Sequence, residues 1–223
     1  MAATVSPQGA ARAIVDPDHP WLGLHPFTEE NQHYFFGRTA EIRDIFLRVR
    51  ENPLTVLYAN SGLGKTSLLR AGLIPKLRVE RFRPVHLLLD FSSASPSLGD
   101  QVREALATVC ADSDSDADAL LERWRPLRSL WEIYAHERLR PAQIADRPPV
   151  LIFDQFEEVF TLSGQETGET TARNAEVVEL FTQIADLVEN RAPAGVQALL
   201  QKEPQRALDY DFGTTVARVV LAL

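Results

Sequence analysis

From Thr39 to Arg50 the apolar residues Ile42, Ile45, Phe46 and Val49 recur at steps of three and four, the period of an amphipathic helix. Pro53, which has no N–H to donate, ends it. Leu54 to Tyr58 is a short β-rich run, followed by a glycine-containing turn and a helical pattern from Lys65 through Leu77. Val85 to Phe91 is almost continuously apolar, as a strand buried on both faces of a parallel sheet requires. Ser92 to Gly99 reads as a loop. Two helices are expected beyond it, Asp100 to Val109 and Ala119 to Leu139, separated by the Asp/Ser-rich stretch Asp112 to Asp118. Pro148 and Pro149 introduce a third apolar run, Val150 to Phe153, closed by Asp154. Ala175 to Glu189 is helical by period, with Val178, Phe181, Ile184, Ala185 and Val188 on one stripe, and Thr215 to Leu223 is β-like. Strands alternating with helices predict an α/β fold: a mainly parallel sheet covered by helices and joined by right-handed crossovers.

Residues 1–20, rich in Ala, Pro, Gly and Asp without apolar period, read as a flexible lead-in to one domain over 21–223. The run Val219 to Leu223 has no turn or polar tail after it, so the domain is expected to be incomplete at its C-terminus. A chain of 223 residues with 45% apolar and 24% charged residues is of ordinary globular composition. Its 31 acidic residues against 23 basic ones leave a formal net charge of -8, and no overall positive field to attract a phosphate backbone; nucleic acid is disfavoured as a partner. Cys110 is the only cysteine, so no internal disulfide forms and nothing ties the chain to an oxidising compartment. No charged start with an apolar run marks a secretory signal, and no apolar stretch approaches the roughly 20 residues that span a bilayer. A soluble, cytoplasmic protein is expected.

Chemistry concentrates in two places. Ala59-Asn60-Ser61-Gly62-Leu63-Gly64-Lys65-Thr66 lies between a predicted strand and a predicted helix and matches a phosphate-binding loop, or Walker A motif, with Ala59 in place of the first glycine. Gly62 and Gly64 permit the tight turn that aims backbone N–H groups inward as an anion nest at a helix N-terminus. Lys65 supplies a mobile charge for β- and γ-phosphates, and the Thr66 hydroxyl suits a hard, oxygen-seeking Mg²⁺. Lysine is otherwise scarce, with only Lys65, Lys76 and Lys202 in the chain. The second place is Val150-Leu151-Ile152-Phe153-Asp154, an apolar strand ending in a carboxylate, which is a Walker B pattern whose aspartate organises Mg²⁺ directly or through water. Gln155 stands where many P-loop ATPases carry a water-activating glutamate. Glu157 and Glu158, three and four residues past Asp154, are the candidates for that role if a helical turn begins there; the alternative is that they cap or solvate the next helix.

Four blocks together resemble the novel STAND NTPases of bacteria: Trp21-Leu22-Gly23-Leu24-His25-Pro26-Phe27, Tyr34-Phe35-Phe36-Gly37-Arg38, Asn60 through Leu73, and Asp154-Gln155-Phe156-Glu157-Glu158-Val159-Phe160. The resemblance implies a three-layered P-loop NTPase domain of the AAA-like, ASCE division, in which the Walker B strand does not directly neighbour the phosphate-loop strand. It implies ATP or GTP bound with Mg²⁺ through Asn60, Ser61, Gly62, Leu63, Gly64, Lys65, Thr66 and Ser67, with Thr66 and Asp154 toward the cation and Lys65, Asp154, Glu157 and Glu158 toward hydrolysis. Phe36 and Gly37 are implied beside the base; the plain alternative for them is an apolar staple at the start of the following helix. In the family the last strand leads into an arginine-containing sensor segment, a helical lid and further modules. Protein partners or self-association through such modules, and a signalling or defence role, are implied.

Three rival signals are weaker. The aspartates from Asp112 to Asp118 resemble a calcium loop, but Ala117 and Arg123 occupy the required glycine and glutamate positions, so a solvated linker is expected. Arg123, Arg125 and Arg128 with Trp124 and Trp131 fit one charged face and one buried stripe of a helix better than a nucleic-acid surface. His19, His25, His33, His86 and His136 show no ligand spacing. Two functional alternatives stand beside the NTPase reading. A phosphotransferase needs an acceptor pocket and lid that no motif supplies, and a non-catalytic, truncated interaction module should expose apolar surface at Val216 to Leu223.

Overall fold

The computed structural model describes residues 22–23, 25–92, 94–111, 116–137, 147–162, 168–213 and 217–223. The lead-in, Trp21 and Leu24 lie outside them. Four strands, β1 (Leu54–Leu57), β2 (Arg83–Leu87), β3 (Pro149–Phe153) and β4 (Arg218–Ala222), form one parallel sheet in the order β1-β4-β3-β2. β4 is registered with Leu54↔Val219 on one side and Val150↔Arg218 on the other. Asp154 therefore follows a strand one place removed from the strand that precedes the 59–66 loop, in the order that the resemblance implies.

Alternation along the strands divides the core into two layers. Leu151, Phe153, Val219 and Leu221 face helices α4 (Leu98–Cys110), α5 (Ala117–Trp124), α6 (Leu130–Glu137) and α8 (Gly168–Val188). Val150, Ile152, Val220 and Ala222 face α1 (Thr39–Glu51) and the long helix that starts at Lys65. Helices on both faces make the three-layered α/β architecture expected of the sequence. On the first face the cover stops short of β1, where Val56 is 52% exposed. Local chemistry sets the helix starts: Ser97 accepts from the Asp100 N–H at 3.1 Å ahead of α4, and Asp116 accepts from the Ala119 N–H at 2.7 Å ahead of α5.

Several expectations need correction. The second strand runs 83–87 rather than 85–91, because pairing follows β3 from Arg83↔Pro149 to Leu87↔Phe153 and ends with its partner. The single helix expected over Ala119 to Leu139 is broken into α5 and α6 around Pro126, and Ser129 restarts it by accepting from the Glu132 N–H at 3.2 Å. Of the stripe expected on α8, Ile184 is buried and Phe181 and Val188 pack against the core beside Leu180, Leu187 and Val177, whereas Val178 is 65% exposed. Helix α9 (Ala194–Lys202) and the 3-10 helix Pro204–Asp209 have no counterpart among the expected elements. Apolar exposure at the last strand is not found: β4 lies inside the sheet with Val219, Val220, Leu221 and Ala222 buried, and Val216 lies outside the described residues. Of the Asp/Ser-rich stretch, residues 112–115 also lie outside them.

Candidate functional site

The loop after β1 climbs from the sheet into a helix made of α2 (Lys65–Ser67), a π-helical stretch Leu68–Leu73 and α3 (Ile74–Val79). Its turn depends on two left-handed residues, Gly62 at φ 83° and Gly64 at φ 80°, which a side chain would strain. The helix is closed behind the loop by the Leu68 N–H donating to Gly64 O at 2.8 Å. The Lys65 ammonium donates to Ala59 O at 2.7 Å, so its charge rests across the loop it belongs to. Asn60, Ser61, Gly62, Leu63 and Gly64 are exposed. Behind them the packing is tight: a Cβ on Gly72 would meet Ile42 Cγ1 at 2.6 Å, so α1 sits directly on the helix backbone.

Asp154 faces this loop from β3. Thr66 Oγ1 donates to Asp154 Oδ1 at 3.2 Å, which joins two elements 88 residues apart at the C-terminal end of the sheet. The same Oδ1 accepts the Gln155 N–H at 3.0 Å, and Oδ2 lies 3.1 Å from His86 Nε2. The backbone is anchored on both sides, by the Asp154 N–H to Leu87 O at 2.9 Å and the Phe156 N–H to Ala222 O at 2.9 Å. Between them Gln155 is forced into the left-handed region, φ 56°, a conformation that non-glycine residues adopt at an energetic cost. Phe156 locks the turn from below, with its ring 5.3 Å from both Phe153 and Phe181.

The two glutamates then diverge. Glu157 is half-buried, with Oε2 buried and without a hydrogen-bond partner among the described residues. Glu158 begins the short helix α7 (Glu158–Leu162); burial, and secondarily the neighbouring Glu157 charge, raise its carboxyl above the ordinary glutamate range.

Phe36 and Gly37 precede α1. Phe36 is 80% exposed and Gly37 is left-handed at φ 81°, so Phe36 does not serve as an apolar staple on the helix. Their segment is nevertheless tied to the loop's helix: the Phe35 ring lies 5.6 Å from Phe27, and the Phe27 N–H donates to Ser67 Oγ at 3.0 Å. The Ser67 side chain is thus committed to the fold. Hydrogen bonds join Thr66, Asp154 and His86 into one group, while Phe36, Gly37 and the two glutamates stand outside that group on separate segments.

A family model, Novel STAND NTPase 1, matches residues 20–202. The chain belongs to that family. The match takes in the 59–66 loop, Asp154 and the helices that cover both sheet faces. No curated protein and no solved structure matches the chain. Relative to the residues that the STAND resemblance supplies, His86 is the addition of the structure. Its signal in the sequence was a histidine inside an otherwise apolar strand, between Val85 and Leu87, where a buried polar group needs a partner. No helix among the described residues is long and apolar enough to cross a membrane.

Proposed function

We propose that this STAND NTPase domain binds ATP or GTP with Mg²⁺ on the 59–66 loop, hydrolyses it slowly, and uses the nucleotide state as a conformational signal. The observation that carries the reading is the 3.2 Å approach of the Thr66 hydroxyl to Asp154 at the mouth of a glycine loop. A hydroxyl and a carboxylate converging from two elements are the hard oxygen donors that Mg²⁺ takes.

In this reading Thr66 and Asp154 hold the cation, directly or through water. Mg²⁺ supplies positive charge to the phosphate oxygens when bound. Lys65 leaves Ala59 O and donates to the β- and γ-phosphates, while the N–H groups of 60–66 cradle them. Glu157, rather than the more exposed Glu158, orients the attacking water and accepts its proton, because its inward oxygen has no competing partner. Phe36 offers an exposed aromatic face to the base.

Calorimetric titration with ATP, ADP and GTP in Mg²⁺ tests the reading. Saturable binding is expected, and Lys65→Ala should weaken it by about 1.5–3 kcal/mol, the worth of a charge-assisted hydrogen bond. Unchanged affinity in that variant, or no binding by the folded wild type, overturns it. In single-turnover hydrolysis Glu157→Gln should slow the chemical step about 100-fold or more without weakening ATP binding.

A further inference from the structure

His86 belongs to none of the motifs that place the nucleotide, yet it is the partner on which half of the Asp154 carboxylate depends. It stands in β2, where its neighbour across the ladder is Ile152, two residues before Asp154. The side chains of His86 and Asp154 are only 7% and 1% exposed, and Nε2 lies 3.1 Å from Oδ2. Oδ1 is engaged on its other side by the Thr66 hydroxyl and the Gln155 N–H. The carboxylate plane is therefore fixed by two different elements, with Oδ1 turned to the loop and Oδ2 turned into the sheet. Water cannot replace the inner partner at this depth, and an unpaired carboxylate oxygen there would swing toward Thr66 or toward solvent. Nδ1 of His86 is buried without a partner among the described residues, so the proton is best carried on Nε2, aimed at Oδ2.

We propose that His86 is a positioning residue for cation binding: by donating from Nε2 to Asp154 Oδ2 it sets the carboxylate so that Oδ1, with Thr66, faces the Mg²⁺ that accompanies the nucleotide. The inference rests on the nucleotide reading above. It follows the general behaviour of metal-ligating carboxylates, whose outer hydrogen-bond partners change metal affinity about 10- to 100-fold when removed.

The test uses the full chain and reads binding rather than turnover. Affinity for ADP is measured by calorimetry without divalent cation, and Mg²⁺ is then titrated into the ADP complex, for wild type, His86→Phe and His86→Gln, each first checked for cooperative melting. His86→Phe keeps the bulk of the ring and deletes the donor; His86→Gln returns an N–H at a similar reach. His86→Phe is expected to lower Mg²⁺ affinity at least about tenfold, with cation-free ADP affinity within about twofold, and His86→Gln should recover most of the loss. Should His86→Phe not fold, His86→Leu, which also lacks the donor, is read in its place, with the same loss of at least about tenfold in Mg²⁺ affinity expected and an unaltered affinity overturning the proposal. A Mg²⁺ affinity unaltered in His86→Phe, or equal loss of cation-free and cation-dependent binding, overturns the proposal while leaving the nucleotide reading intact. Absence of ADP binding by wild type under both conditions overturns the nucleotide reading, and this proposal with it.

Discussion

The two halves of the candidate site are built on opposite plans. The 59–66 loop is exposed, turns on two left-handed glycines, and holds its lysine by a bond to its own backbone. Asp154 is buried, and both of its oxygens and its N–H are engaged by Thr66, Gln155, His86 and Leu87. A loop of the first kind can mould itself to a phosphate chain. A carboxylate of the second kind cannot move without giving up its bonds to Thr66, Gln155 and His86, so it offers a fixed reference for a cation. The difference teaches that charge at this site is managed in two ways, one side chain free to relocate and the other set before any ligand arrives.

The sharpest way to break the contrast is Asp154→Ala. It strands the buried His86 donor and frees the Gln155 N–H, and should cost about 3 kcal/mol of folding stability, seen as a lower melting temperature, as well as cation-dependent nucleotide binding. Lys65→Ala, by contrast, should leave melting within about 2 °C of wild type, since it removes only one partly exposed bond. Next in size is Gly72→Ala, which forces a methyl group against Ile42 on the tightly packed side of the loop's helix. A loss of about 2 kcal/mol in denaturant unfolding is expected, largely restored by Ile42→Ala in the same chain. Gly64→Ala meets no neighbour within 4 Å, so its expected loss of about 1 kcal/mol reflects the left-handed backbone alone and no second substitution should rescue it.

The smallest expected effect concerns Glu158. Its folded-state pKa is raised, so the ionised form is disfavoured by folding; the penalty is complete above the folded pKa and vanishes as pH falls below the unfolded value of about 4.3. Glu158→Gln should therefore be the more stable protein at pH 7, by less than ~0.5 kcal/mol given the exposure of this side chain, and should equal wild type near pH 4. A stability gain that persists at pH 4 would contradict an electrostatic cause.

What was legible in the sequence was whatever rests on local pattern. The period of α1, the glycine spacing of the loop and the apolar run ahead of Asp154 each sit within a few residues, and α1 and β3 fall within one residue of the pattern's limits. Features decided by distant partners were not. Val177 and Val178 are equally apolar, and only the position of the sheet beneath α8 determines which of them is buried. The break at Pro126 was present in the sequence and was overridden by the apolar period on either side. Helix α9 packs through Val196 against Trp131, Ala135 and Tyr210, contacts that no single stretch announces. His86 lacked ligand spacing because its partner lies 68 residues away and is met only once β2 and β3 pair.

Ala59, at the position where the motif expects its first glycine, carries a further consequence. The left-handed residues of the chain include Gly62 and Gly64 but not Ala59, so its backbone lies in a region open to any L-residue. The methyl group then acts chiefly on the unfolded chain, which has fewer conformations to surrender than it would with glycine. At a compatible position that difference is worth about 0.4–1 kcal/mol in favour of the folded loop. Since it is the carbonyl of residue 59 that holds Lys65, the substitution reduces the entropy lost in ordering the lysine's resting acceptor while leaving the acceptor itself unchanged.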